Sequence, residues 1–130
     1  MIRIIYFLAL FYTVTCQLVK DDDECKKDKY KLLQVFYNLV EDGEAPECIY
    51  ELKLQKFQIK GIENDEDDVE IYKEYVNYLE SLDEEQLETV QDCVNLTGMI
   101  AMEKIADEIQ EECGEEIVEF GQKMINGEDL

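Results

Sequence analysis

The side chains able to do chemistry are few in kind. Cysteines stand at positions 16, 25, 48, 93 and 113, and there is no histidine. Without histidine, the commonest general base and the commonest metal ligand are missing. A Ser-His-Asp or Cys-His relay cannot be assembled. Ser81 is the single serine. It opens Ser81-Leu82-Asp83-Glu84, which reads as a capping box at a helix start and accounts for that hydroxyl. No Cys-x-x-Cys pair and no glycine-rich phosphate loop occur. Carboxylates are abundant, with 33 Asp and Glu, so a pair spaced for glycoside hydrolysis can arise by proximity alone. A sugar cleft is usually lined with aromatic platforms, and there is no tryptophan. The expectation is no enzymatic activity, no cofactor and no metal.

Two further patterns invite chemistry. The acidic run Glu63-Asn64-Asp65-Glu66-Asp67-Asp68 looks like a calcium loop. Counted from Asn64 or Asp65 it lacks the glycine that loop needs at its sixth position, so a solvated loop is expected. Asn95-Leu96-Thr97 is a glycosylation sequon. Beside Gly98, at an expected helix end, Asn95 is a candidate for modification.

The rest of the chain must position whatever function exists. Met1-Ile2-Arg3, an apolar run from Ile4 to Tyr12, and Val14 and Cys16 have the layout of a secretory signal cut before Gln17. That divides the chain into a signal peptide, 1–16, and one helical domain, 17–130. The apolar run is short for a span of ~30 Å of hydrocarbon, so no membrane insertion is expected. The formal charge is −21. Loss of Arg3 leaves 11 basic against 33 acidic residues, or −22. Nucleic acid and anionic membrane surfaces would be repelled. Cys25, Cys48, Cys93 and Cys113 remain, an even set that reads as a disulfide framework in a secreted, extracellular chain. Four cysteines allow three pairings, and spacing does not choose among them.

Apolar periodicity predicts a compact all-α array of about six short helices stapled by two disulfides. The first covers about Cys25 to Val40 and is stopped by Glu41-Asp42-Gly43. A second follows Pro46 and carries its stripe toward Gly61, with strand as the minority alternative around Leu54 and Ile59. A third runs from about Val69 to Leu79. A fourth starts at Ser81 and breaks at Thr97-Gly98. A fifth carries Met102, Ala106 and Ile109 toward Cys113. The last follows Gly114, with Gly127 as its C-cap.

The plain reading of these stripes is a hydrophobic core. The sharper one is that the helices enclose a cavity for a small hydrophobic molecule. Its candidate lining is Leu33, Phe36 and Tyr37 from the first helix, and Ile49, Leu52 and Phe57 from the second. Tyr72, Tyr75 and Leu79 come from the third and Val90 from the fourth. Met102, Ile105 and Ile109 come from the fifth, and Val118 and Phe120 from the last. Tyr37, Tyr50, Tyr72, Tyr75 and Tyr78 could set hydroxyls at its rim. Met99, Met102 and Met124 could supply adaptable walls.

From Cys48 onward the chain resembles the arthropod odorant-binding proteins of the insect pheromone-binding type, in a reduced four-cysteine form. The likeness lies in Cys48-Ile49-Tyr50, Phe57 and Gly61 before the acidic run, Val69-Glu70-Ile71-Tyr72, and the acidic helix leading to Asp92-Cys93. Nineteen residues separate Cys93 from Cys113, a spacing similar to that family's. The resemblance implies six helices around a cavity for an odorant, pheromone or lipid. It also implies bridges Cys25–Cys48 and Cys93–Cys113. The second bridge would need a loop and crossed helices after Cys93. In a simple hairpin Cys113 would lie roughly 20 Å along the next helix. Two other classes fit a small secreted helical chain. One is a secretoglobin-like protein. The other is an effector, venom or salivary-type protein that acts on a protein partner, steered by its acidic surface.

Overall fold

The structure is a computed structural model that describes residues 18–20 and 23–130. The expected signal segment, Met1–Cys16, and its cleavage site before Gln17 lie outside the described residues.

Helix α1, Lys26–Glu41, is the element the others pack around. Leu32 and Leu39 face one apolar group, Tyr30 and Leu33 a second, and Val40 a third. The periodic stripe found only part of this surface, because a central helix buries more than one face. Its end follows the turn chemistry. Gly43 takes φ +74°, and the N–H groups of Gly43 and Glu44 donate to the carbonyls of Val40 and Leu39. A left-handed glycine closing the last turn in this way satisfies carbonyls that would otherwise have no partner.

The stretch after Pro46 does not form one helix up to Gly61. Helix α2, Glu47–Glu51, lasts five residues. Lys53 then turns left-handed at φ 59°, and a short 3-10 helix, Leu54–Phe57, follows. From Gln58 the chain is extended, so the helical stripe ends well before the glycine.

Helix α3, Glu66–Glu80, begins inside the acidic run. Asp65 caps it, accepting from the Asp67 N–H. The run is therefore only partly the solvated loop expected of it, and Asp68 is buried at 1% exposure.

Helix α4 corrects two expectations. It spans Glu84–Ile105 without interruption, so the predicted break at Thr97-Gly98 is absent. The predicted fifth helix is in part this helix's last turns. Ile109 falls in the irregular segment beyond it. Thr97 is fully buried, and its hydroxyl donates to the Cys93 carbonyl one turn back. Packing overrides the ~1 kcal/mol that glycine costs a helix relative to alanine. The helix start is also displaced. Asp83 and Gln86 form the capping box, by Gln86 N–H to Asp83 Oδ1 at 2.8 Å and Asp83 N–H to Gln86 Oε1 at 3.2 Å. Ser81 instead ends α3, its hydroxyl donating to the Tyr78 carbonyl.

A 3-10 turn, Glu111–Cys113, leads into α5, Gly114–Ile125. Gly127 follows at φ +70° and closes α5 as predicted. The chain is thus all-α, with five α-helices among the described residues, where about six were expected.

Two disulfides staple the array, Cys25–Cys113 and Cys48–Cys93, with Cα separations of 5.6 and 6.0 Å. The pairing implied by the resemblance is not the one found. An unbroken α4 carries Ile105 about 18 Å beyond Cys93, and Cys113 then returns to the start of α1 rather than to Cys93. Cys48, on α2, is the cysteine brought against α4. No helix among the described residues is long and apolar enough to cross a membrane.

Candidate functional site: an apolar cavity between the helices

A cavity of about 110 Å³ lies between α1, α2, the Leu54–Ile59 segment, α3, α4 and α5. Leu32, Leu33, Phe36 and Val40 form the α1 wall, with Ile49 of α2 beside them. Leu54, Phe57, Gln58 and Ile59 form a second side. Tyr72 and Tyr75 project from α3, Val94 and Gly98 from α4, and Gly121, Met124 and Ile125 from α5. The two glycines matter by what they lack. A Cβ on Gly98 would meet nothing within 4 Å, and one on Gly121 would only touch Leu32 at 3.7 Å.

The segment carrying Gln58 and Ile59 has no regular secondary structure, yet it is firmly anchored. The buried carboxylate of Asp68 accepts from the N–H groups of Lys60, Gly61 and Ile62 at 2.9 to 3.1 Å. The Gly61 carbonyl accepts from Gln34 Nε2 of α1 at 3.0 Å. Gly61, at φ +79°, lies so near α1 that a Cβ would come within 2.9 Å of the Tyr30 carbonyl oxygen. Only glycine fits that approach without displacing backbone. Phe57 is held edge-on to Tyr75, ring centroids 5.7 Å apart, and tilted against Tyr78 at 5.0 Å.

Both tyrosines at the cavity spend their hydroxyls on the C-terminal region, Tyr75 on the last residue of α5 and Tyr72 on the stretch just past it. Tyr75 donates to the Ile125 carbonyl at 2.8 Å and Tyr72 to that of Glu128. Burial pushes both phenols above their ordinary pKa. The acids Asp129 and Glu128 push Tyr72 further, and Tyr72 and Tyr78 do the same for Tyr75. Both therefore stay protonated donors at neutral pH. Gln58 is the exception in polarity. Its Oε1 is sealed from solvent and has no hydrogen-bond partner among the described residues.

Six of the residues singled out from the sequence line the cavity: Leu33, Phe36, Ile49, Phe57, Tyr72 and Tyr75. The others do not. Tyr37 sends its hydroxyl to Glu41 at the surface. Leu52, Leu79 and Val90 pack in the core group around Ile49. Met102, Ile105 and Ile109 pack against the group containing Cys113, and Phe120 packs with Leu33, under the Lys29 ammonium. Val118 is 57% exposed. Successive helical residues are about 100° apart, so with Ile117 fully buried Val118 turns toward water. Of the rim tyrosines, Tyr50 bonds to the Val40 carbonyl and Tyr78 stacks on Phe57. Of the methionines, Met124 is a wall while Met99 is 62% exposed.

Sequence reasoning passed over Gln58, Gly98 and Gly121 as lining residues. Nothing in local pattern marks a polar residue after a 3-10 turn, or a helical glycine, as cavity-facing. Leu54, Ile59 and Ile125 were visible in the apolar pattern but were not assigned to the lining, whereas Met124 was expected as a wall and is one.

Asn95 sits within α4 rather than at a helix end, half-buried, with its Nδ2 near Met99 Sδ. Asp23, Cys25 and Glu116 converge closely. Cys25 is committed to its disulfide and Asp23 to Lys29, which leaves no thiolate to bind a metal. Comparison with protein-family models, with curated proteins and with solved structures finds no match.

Proposed function

We propose that this protein is a secreted, non-enzymatic carrier that holds a small hydrophobic molecule in the cavity between its helices. The supporting observation is the cavity itself, about 110 Å³ and walled almost wholly by aliphatic and aromatic side chains. Apolar voids of roughly 150 Å³ stay dry and take up benzene-sized guests. A compact ring or short chain is the guest expected here. Transfer of its apolar surface from water supplies the affinity, at about 25 cal/mol per Å². The resemblance to odorant-binding proteins favours the same ligand class, although the cysteines pair differently from what it implies. The framework of two disulfides suits an oxidising, extracellular setting.

The test is calorimetric titration with benzene and toluene, single rings of the size the cavity admits. Wild type is expected to bind them. Gly98→Leu, which adds a side chain where the wall is empty, is expected to abolish that binding while helical circular dichroism is retained. Equal binding by both proteins would place the ring elsewhere and remove the carrier reading. The acidic excess, 33 residues against 12, favours a second reading as a binder of a basic protein. That reading predicts salt-sensitive capture of one partner and indifference to Gly98→Leu.

A further inference from the structure

Of the six glycines, three have a conformational reason to be glycine. Gly43, Gly61 and Gly127 take positive φ, which residues with a Cβ rarely adopt. Gly114 opens α5. Gly98 and Gly121 have no such reason. Both lie inside helices, α4 and α5, and neither has a positive φ. Neither is pressed against backbone. A Cβ on Gly98 would meet open space, and one on Gly121 would make an ordinary contact with Leu32 Cδ2 at 3.7 Å. Glycine is the poorest helix former after proline, so each weakens its helix with no gain in packing. What the two share is the cavity, which both line. Gly98 stands one turn beyond Val94, in the same wall and on the same helix face. The atom nearest a Cβ on Gly121 belongs to Leu32, a residue of the α1 wall.

We propose that Gly98 and Gly121 are the size-determining residues of the cavity. The room left by their missing side chains takes an alkyl group of the guest, which is an alkylated hydrocarbon ring rather than a bare one. This rests on the carrier reading and narrows it. Stability is commonly exchanged for function in this way at binding sites. A guest with one more methyl group is held more tightly where that methyl fits, because more apolar surface leaves water. A methyl placed on a close-packed wall takes the same space away.

Dissociation constants for benzene and toluene would be measured by calorimetry on wild type, Gly98→Ala, Gly121→Ala and Gly114→Ala, with thermal melting of each. Gly114→Ala adds the same methyl in open space away from the lining. Wild type is expected to bind toluene roughly fourfold tighter than benzene, as burial of one methyl group implies. In Gly98→Ala and in Gly121→Ala that preference is expected to fall by roughly tenfold, the discrimination one methyl group gives in an apolar pocket. Both variants are expected to melt above wild type. Gly114→Ala is expected to keep the wild-type preference. A wild type indifferent between the rings, a preference unchanged in either cavity variant, or one lost equally in Gly114→Ala overturns the sizing role and leaves the carrier reading standing. So does a cavity variant that melts below wild type, which would show that the fold itself needs that glycine. If neither ring binds wild type, both readings fall together.

Discussion

Two acids, Asp68 buried and Asp23 only partly so, show what a single carboxylate can hold in place in so acidic a molecule. Asp68 accepts three backbone N–H groups, and Asp23 accepts from Lys29 Nζ and the Cys25 N–H at 2.6 and 2.8 Å. Burial by itself would raise the pKa of Asp23. The Lys29 and Cys25 hydrogen bonds, with the charges of Lys29 and Lys20, outweigh it and hold the carboxyl below its ordinary 3.8. A carboxyl depressed by folding stabilises the fold above its ordinary pKa and loses that contribution as the pH falls through the depressed one. Asp23→Asn is therefore expected to unfold at lower urea than wild type at pH 7. The gap should begin to close as the pH drops past 3.8. A gap unchanged down to pH ~2 would mean that the carboxylate's charge is not what matters. Neither acid's role was legible in the sequence. Which member of a run such as Glu63–Asp68 turns inward depends on where α3 starts, and the start at Glu66 aims Asp68 back at the chain it holds.

At the scale of elements, the instructive case is α4. Thr97-Gly98 looks like a stop when only neighbours along the chain are weighed. Across the fold, Thr97 is fully buried and α4 carries the cavity-facing Val94 and Gly98 on one turn. A helix with so many tertiary contacts can carry a poor helix former. Gly98→Ala is then expected to stabilise the protein by up to ~1 kcal/mol in urea unfolding, because the added methyl meets open space. Destabilisation would indicate a backbone there that alanine cannot adopt. The elements with strong local signals, α1, α5 and their glycine-closed ends, were legible. The short α2, the 3-10 turns and the irregular stretch after Ile105 were not. They are shaped by what they pack on, as Leu54 and Phe57 are by Tyr75 and Tyr78.

For the whole molecule, the cross-links set the topology, and spacing could not choose between three pairings. Peptide mass mapping without reduction is expected to return Cys25–Cys113 and Cys48–Cys93 alone. Recovery of Cys48 joined to Cys25 would replace this arrangement with the one the family resemblance implies. With separations of 88 and 45 residues, each bridge removes unfolded-chain entropy equivalent to about 4 to 5 kcal/mol in a simple chain model. The core was legible as class and composition. The cavity was legible only where helical stripes reach it, because empty space belongs to the assembled elements. The two covalent rings are nested, the smaller wholly within the larger, and both are complete by Cys113. Everything after that residue hangs outside them. Gly121, Met124 and Ile125 thus form a side of the chamber held by contact and by two phenol hydroxyls rather than by any sulfur bond.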